Sequence, residues 1–520
     1  MTDGEMQSWP LTLDKFLRHA ARWHKRAEVV TGREDGRIDR IGYAGLMARS
    51  LKVSAVLAGL GIGRGDRVAT LAWNTQAHVE TWYAIMGMGA VCHTLNPRLT
   101  AAQLASMAGQ SEARILIASA DLAPLAREIA AGAPLIGHLL LIDDDADPAS
   151  LERLLAEAVG DVAWGDFEET APSGLCFTSG TTGAPKGVTY THRASFLHTL
   201  RTLQADVMAF RGSDSVLAAV PMFHANAWGL PFALPAVGAK LVLPGRHTDG
   251  ASLMRLINAE AVTVAVGVPT VWLGLVEHLD AVGGDVPTLE RVVVGGMPIA
   301  PALMARIERR LGVTVQTSWG MTELSPSGTV APPHDPSRAA ELSGRAAVGV
   351  DMLLTDEHGK PLARQRGAEG HLRVRGAAVV ERYFGHEEKA TDADGWFPTG
   401  DLARIDADGN LIITGRAKDL IKSGGEWINP AEIEAVIGAI PEVALAAVIG
   451  RPDPKWGERP ILLVEMRDGR PVSDEALLGP LQGRVAPWWI PDEVFRLSNM
   501  PLAPTGKIDK IRLRSEYGSG

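Results

Sequence analysis

Short, almost wholly apolar runs alternate along this chain with longer segments whose apolar residues recur at helical spacing. DRVATLAW (66–73) opens on charge and continues as a strand-like run, while AHVETWYAIMGMGAV (77–91) spaces its apolar side chains as a helix does. ARILIAS (113–119), HLLLID (138–143), AVTVAVGVP (261–269) and LERVVVGG (289–296) repeat the strand signal. Strands alternating with helices predict an α/β fold with largely parallel sheets. No internal repeat or low-complexity tract interrupts the pattern.

After about residue 400 the pattern changes. ARIDADGNLIITGRAKD reads as a hairpin, with the polar turn DADGN between two strand-like arms. A glycine-rich turn, KSGGEWINP, then leads to a helix opened by Pro430, with Glu432 and Glu434 near its start. EVALAAVIGRPD and ERPILLVEMRD read as strands of a small α+β unit. At 520 residues the chain is too long for one ordinary core. The predicted division is a large, multi-subdomain unit over 1–416 and a small α+β unit over 417–520.

Composition narrows the function classes. Hydrophobic residues make up 46% and charged residues 22%, as in folded globular chains. The net charge of −10 offers no basic face for nucleic acid. Two cysteines, Cys92 and Cys176, are too few for a disulfide framework or a thiolate metal site, and both read as small buried apolar side chains. The amino terminus has acidic residues early and no apolar h-region, and apolar stretches are broken well before membrane-spanning length. The expectation is a cytoplasmic enzyme.

The chemistry is concentrated in FTSGTTGAPKG (177–187). Its glycines allow backbone to approach an anion, and successive N–H groups form a concave anion site. The hydroxyls of Thr178, Ser179, Thr181 and Thr182 add donors, Gly180 and Gly183 free the backbone, and Lys186 supplies a cation. The string reads as a phosphate-binding loop, yet not GxxxxGK[ST], because the glycine spacing differs and no Ser or Thr follows the lysine. In QTSWGMTE (316–323), Trp319 offers a flat face for adenine and Thr322 a hydroxyl. Glu323 is a hard carboxylate suited to Mg²⁺. Asp401 can accept ribose hydroxyls, and Arg416 can bond ribose or neutralise phosphate.

With PMFHANAWG (221–229), VGGMPIAP (294–301), WFPTGDLARID (396–406), GRAKDLIKSGGEWINPAEIE (415–434) and PTGKIDK (504–510), these motifs stand in a fixed order. The sequence resembles, over essentially its whole length, the adenylate-forming superfamily of acyl-CoA synthetases, peptide-synthetase adenylation domains and luciferases. HTLNPRL (93–99), FHANAWG and WWIPDEV (488–494) resemble more specifically the medium-chain fatty acyl-CoA ligase and 3-methylmercaptopropionyl-CoA ligase branch.

That resemblance implies an ATP-dependent acyl-CoA synthetase with ATP and coenzyme A as co-substrates and Mg²⁺ as cofactor. It implies that Thr178 and Glu323 hold Mg²⁺ and that Thr178, Lys186, Glu323 and Lys507 carry catalysis. Gly296, Met297, Pro298, Ser318, Trp319, Gly320, Met321, Thr322, Asp401 and Arg416 would complete the nucleotide site. Lys507 would be the mobile-domain cation between the attacking carboxylate and the α-phosphate. Lys418 would be the hinge, and Lys422, Ser423, Gly424, Gly425, Glu426 and Trp427 would serve thioester formation. The acyl-pocket candidates are His224, Asn226, Trp228, Val268, Gly295, Gly296 and Met321. None of those pocket motifs contains a cation, which favours an apolar acid of medium length. Members of the branch usually carry Lys where this chain has Pro487, so Arg484 or Lys455 are the alternative cations for coenzyme A. Alternatives to the fatty acid are 3-methylmercaptopropionate or an aryl acid, or a carrier protein in place of coenzyme A. A homodimer is the default oligomer.

Overall fold

The apolar runs become buried strands of two large sheets. The computed structural model describes residues 3–143, 147–178, 185–424, 426–467, 472–503 and 507–518. Among these, Thr314–Gly320, Arg291–Val294, Val264–Gly267, Ser215–Ala218, Lys240–Leu243 and Glu28–Gly32 pair in parallel. Antiparallel strands close this sheet at both edges: Ile38–Gly42 on one, Ser327–Val330 and Arg345–Ala346 on the other. A second sheet orders His138–Ile142, Ile115–Ser119, Arg67–Leu71, Val91–Thr94 and Pro172–Phe177 in parallel, with Gly187–Thr191 turned back antiparallel. Strands apolar on both faces need cover on both, and helices supply it.

The helical pattern at 77–91 holds only over Gln76–Gly87. Thr75 caps its start, its side chain accepting from the His78 N–H. The helix stops where Gly87 passes under the Trp164 indole, and the strand Val91–Thr94 begins after the next turn. One core spans both sheets, with Val68 and Ile115 from one, Val216, Leu241 and Val266 from the other, and Trp82 and Tyr83 between them.

Val350–Thr355, Glu369–Gly376, Phe397–Ile405 and Leu411–Arg416 form an antiparallel four-stranded sheet. The expected hairpin is its last pair. Asp406 closes the turn by accepting from the backbone and side chain of Asn410, both at 2.8 Å. A short 3₁₀ turn, Ala417–Asp419, leads into a separate sheet containing Ile421–Ser423, Glu426–Ile428, Val443–Asp453, Gly457–Met466 and Glu493–Leu497. Helix Pro430–Gly438 packs on one of its faces around Ile433 and Leu462; helix Lys510–Tyr517 covers the other around Leu463 and Leu513. No helix among the described residues is long and apolar enough to cross a membrane.

Candidate active site

Two strand ends come together, bridged by the Tyr190 hydroxyl on the Thr322 carbonyl. Thr178 follows Pro172–Phe177 of one large sheet, and Gly320 ends Thr314–Gly320 of the other, in keeping with ligand sites at the carboxyl ends of parallel strands. The neck of the 177–187 loop is tied on both sides. The Thr178 N–H donates to the Lys186 carbonyl at 2.9 Å, and the Lys186 N–H donates to Thr178 Oγ1 at 3.3 Å. Ser179, Gly180, Thr181, Thr182 and Gly183 lie outside the described residues. The Lys186 ammonium sits 4.8 Å from the centre of the Tyr383 ring.

Tyr383 joins this lysine to Glu323. Its hydroxyl donates to Glu323 Oε1 at 2.9 Å, and the Val380 N–H holds the Glu323 carbonyl at 2.8 Å. Burial raises the Glu323 pKa, opposed by its backbone and Tyr383 hydrogen bonds and by the charges of Arg416 and Lys186. Thr322 is also buried, and its carbonyl accepts from the Tyr190 hydroxyl at 2.9 Å. Sequence reasoning missed Tyr383. It lies 60 positions from Glu323, and no local pattern announces that contact.

The four-stranded sheet adds the second half. Asp401, only 2% exposed, accepts from Trp319 Nε1 at 3.0 Å and pairs with Arg416 Nε at 2.8 Å. Burial raises its pKa against the pull of Arg416, Trp319 and Lys507. The Arg416 guanidinium also donates to the Thr399 carbonyl at 3.3 Å. The Trp319 indole therefore fixes one oxygen of the Asp401 carboxylate and Arg416 the other.

Lys507, on the segment just before the last helix, reaches the same group. It is exposed, yet crowding by protein and the neighbouring Arg416 and Lys418 charges lower its pKa, while Asp401 and Glu323 raise it. His224 shares this environment. Burial lowers its pKa to about 4, with Lys507 and Arg98 adding to the shift, so it is neutral at physiological pH. Arg98, whose guanidinium stands 5.9 Å from the Phe223 ring centre, is a further cation that sequence reasoning did not place here.

The acyl-pocket candidates adjoin this charged cluster through His224. Ala225, Asn226, Ala227 and Trp228 all have positive φ, and Gly229 follows at +79°, making a left-handed turn. The Trp228 indole lies over Gly295, where a Cβ would come within 2.9 Å of the ring and 2.3 Å of Ser318 Oγ. Ser318 Oγ in turn donates to the Val294 carbonyl at 3.0 Å. Val268 and the Trp228 ring both lie within 4 Å of where a Gly296 side chain would start; Met297 is half-buried and Pro298 exposed in the loop that follows. Cys92 and Cys176 are buried, and burial raises both thiol pKa values, Cys92 to about 12.

The Lys422–Trp427 hairpin takes its polar contacts from its own sheet, away from Asp401. The Lys422 N–H donates to Glu458 at 3.0 Å, and Ser423 Oγ accepts from Arg459 at 3.3 Å. Gly424 has φ +60°, and a Cβ there would meet Trp456 at 2.9 Å, so a turn and a ring contact account for this glycine. Gly425 lies outside the described residues. Glu426 is exposed, and Trp427 lines a cleft of about 390 Å³ with Glu369, His371, Glu432 and Trp489, between the four-stranded sheet and the last sheet. Pro487 opens a 3₁₀ turn, Arg484 is exposed, and the Lys455 ammonium stands 4.5 Å from the Trp456 ring centre. Lys418 sits in the turn between the two sheets, and Lys510 pairs with Glu434 at 2.7 Å.

Residues 16–384 match the AMP-binding enzyme family and residues 432–507 the AMP-binding enzyme C-terminal domain. A 3-methylmercaptopropionyl-CoA ligase of Ruegeria lacuscaerulensis is 38% identical over 99% of this chain and 98% of its own length. A medium-chain-fatty-acid–CoA ligase of Ectopseudomonas oleovorans is 39% identical over 99% and 97%. Among solved structures, ATP-bound MatB from Rhodopseudomonas palustris aligns with a TM-score of 0.86 at 29% identity, covering 98% of this chain and 99% of that one.

Proposed function

The chain belongs to the AMP-binding enzyme family, and from that membership we propose its reaction: an AMP-forming acyl-CoA synthetase joins a carboxylic acid to coenzyme A by way of an acyl-adenylate. The observation that carries the reading is the gathering of Lys507 with Asp401, Arg416 and Glu323 in one charged cluster. An acid carboxylate attacks the α-phosphorus of ATP, and the bond to the bridging oxygen breaks with its electron pair leaving on pyrophosphate. The thiolate of coenzyme A then bonds to the acyl carbon, and AMP departs. Neither step needs a covalent protein nucleophile; positioning and charge stabilisation suffice.

Each side chain has a part in this scheme. Lys507 lies between the attacking carboxylate and the α-phosphate and reduces their repulsion. Asp401, oriented by Trp319 and Arg416, accepts the ribose hydroxyls, and Lys186 with the 178–183 hydroxyls and N–H groups binds the phosphates. Glu323 suits a divalent cation: it is buried, one oxygen is held by Tyr383, and it has no ion-pair partner among the described residues. Glu323 and Thr178 would hold Mg²⁺, which supplies neutralisation of phosphate charge.

The same proposal places the domain boundary at 416/417 and makes Lys418 the hinge. Rotation about it would remove Lys507 and bring the 422–427 hairpin to the acyl carbonyl for thioester formation. Trp228 and Val268 flank Gly296; with Met321 they would line the acyl pocket, and this and the relatives' names support a medium-length acid with an apolar body. A homodimer in the cytoplasm completes the reading; light scattering checks the first part. Pyrophosphate release across acids of graded length, with and without coenzyme A, tests the reaction. Acid-dependent pyrophosphate with thioester only when coenzyme A is present is expected. No pyrophosphate with any acid refutes adenylation, and pyrophosphate without thioester refutes the ligase.

A further inference from the structure

Helix His192–Thr202 buries three basic side chains, His192 at its start and, further along, His198 and Arg201. The last two engage the backbone of Ser327. The Ser327 N–H donates to His198 Nε2 at 3.2 Å, and Arg201 Nη2 donates to the Ser327 carbonyl at 2.5 Å. Ser327 pairs across the hairpin with Gly320, beside Met321 of the acyl-pocket candidates. The His198 imidazole also abuts Gly229, 3.1 Å from where a side chain would start, at the end of the left-handed turn that carries Trp228. His198 and Arg201 thus lie behind the two backbone segments that flank the acyl pocket.

Arg201 is only 5% exposed and has no carboxylate within ion-pair distance among the described residues. Burial lowers its pKa to about 10, which leaves it charged at neutral pH. Clasping one carbonyl does not call for a guanidinium; a neutral donor would do so without burying a charge. The planar fork of arginine suits two-pronged capture of a carboxylate, and among the described residues its other N–H groups meet no acceptor.

We propose that Arg201 determines acid specificity, placing a cation at the far end of the acyl site so that the preferred acid bears a second carboxylate away from the one activated. This rests on the ligase reading and deepens it. The acid then has an apolar body against Trp228 and Met321 and an anionic end. The pocket motifs singled out in the sequence contain no cation; this one comes from a neighbouring helix.

The test compares acids of equal length in pairs, hexanoate with adipate and octanoate with suberate, by acid-dependent pyrophosphate release. The wild type is expected to have the higher kcat/KM for the diacid of at least one pair. Arg201→Leu is expected to shift that ratio toward the monoacid by roughly 100-fold, with the KM for ATP unchanged, and Arg201→Lys to restore part of it. A wild-type preference for the monoacid in both pairs overturns the proposal even if no variant folds. A ratio unmoved by Arg201→Leu also overturns it, reducing Arg201 to a clasp on Ser327. Monoacid turnover without diacid turnover sinks this inference alone. No pyrophosphate from any acid, including short and aryl ones, sinks the ligase reading and this inference with it.

Discussion

The Lys507 ammonium shares its surroundings with two cations, Arg416 and Lys418, and two carboxylates, Asp401 and Glu323. In the proposed adenylation such a balance would hold a positive charge where negative charge accumulates in the transition state. Lys507→Ala is expected to cut acid-dependent pyrophosphate release by about 100-fold or more, while conversion of supplied acyl-AMP to thioester persists. Equal loss of both half-reactions contradicts the two-conformation scheme. Tyr383 works one residue further out. Tyr383→Phe keeps the ring beside Lys186 and removes the bond to Glu323, so pyrophosphate release should fall about tenfold, the worth of a hydrogen bond to a charged group. Tyr383→Leu should fall further, because it also removes the surface on which Lys186 rests. Identical rates for the two variants would mean the ring has no part.

At the level of elements, the left-handed turn over Ala225–Gly229 is the most costly piece of backbone near the site. Four consecutive non-glycine residues have positive φ, each at about 1 kcal/mol or more. Packing holds the turn in place: Ala225, Asn226 and Ala227 are buried. Ala227→Val adds a β-branched side chain at positive φ in a filled core. A loss of about 2–3 kcal/mol in folding stability is expected, read as a lower urea midpoint. An unchanged midpoint would mean that the turn relaxes freely, and the pocket wall with it.

For the whole molecule, pH dependence follows from imidazoles sealed in the large unit. Burial lowers the pKa of His78 to about 4 and of His93 and His192 to about 3. The unfolded chain protonates these groups near pH 6.5, so below that pH it binds protons that the folded state refuses. Stability is therefore full above about pH 6.5 and is lost as pH falls toward the folded values, by up to about 1.4 kcal/mol per pH unit for each group. The urea midpoint should drop between pH 7 and pH 5, and His93→Asn should flatten that slope. A midpoint that rises on acidification would contradict the assignment.

The sequence by itself determined the layers and the order of the parts. Parallel strands buried on both faces must be apolar throughout, so Val264–Gly267 and Arg291–Val294 were legible as runs, and DADGN as the turn of the Phe397–Arg416 hairpin. The strand ends at Phe177 and Gly320, where the glycine- and hydroxyl-rich motifs begin or lie, were legible because such residues break an apolar run. Contacts between distant positions decided the rest. Tyr383 meets Glu323, Trp319 meets Asp401 across 82 positions, and Arg201 meets Ser327 across 126. Nothing in a local spacing encodes such pairs, because they exist only once sheets and helices have packed. The sequence alone thus argued for an adenylating ligase, whereas the fold decided that Arg201 is buried against the Ser327 carbonyl.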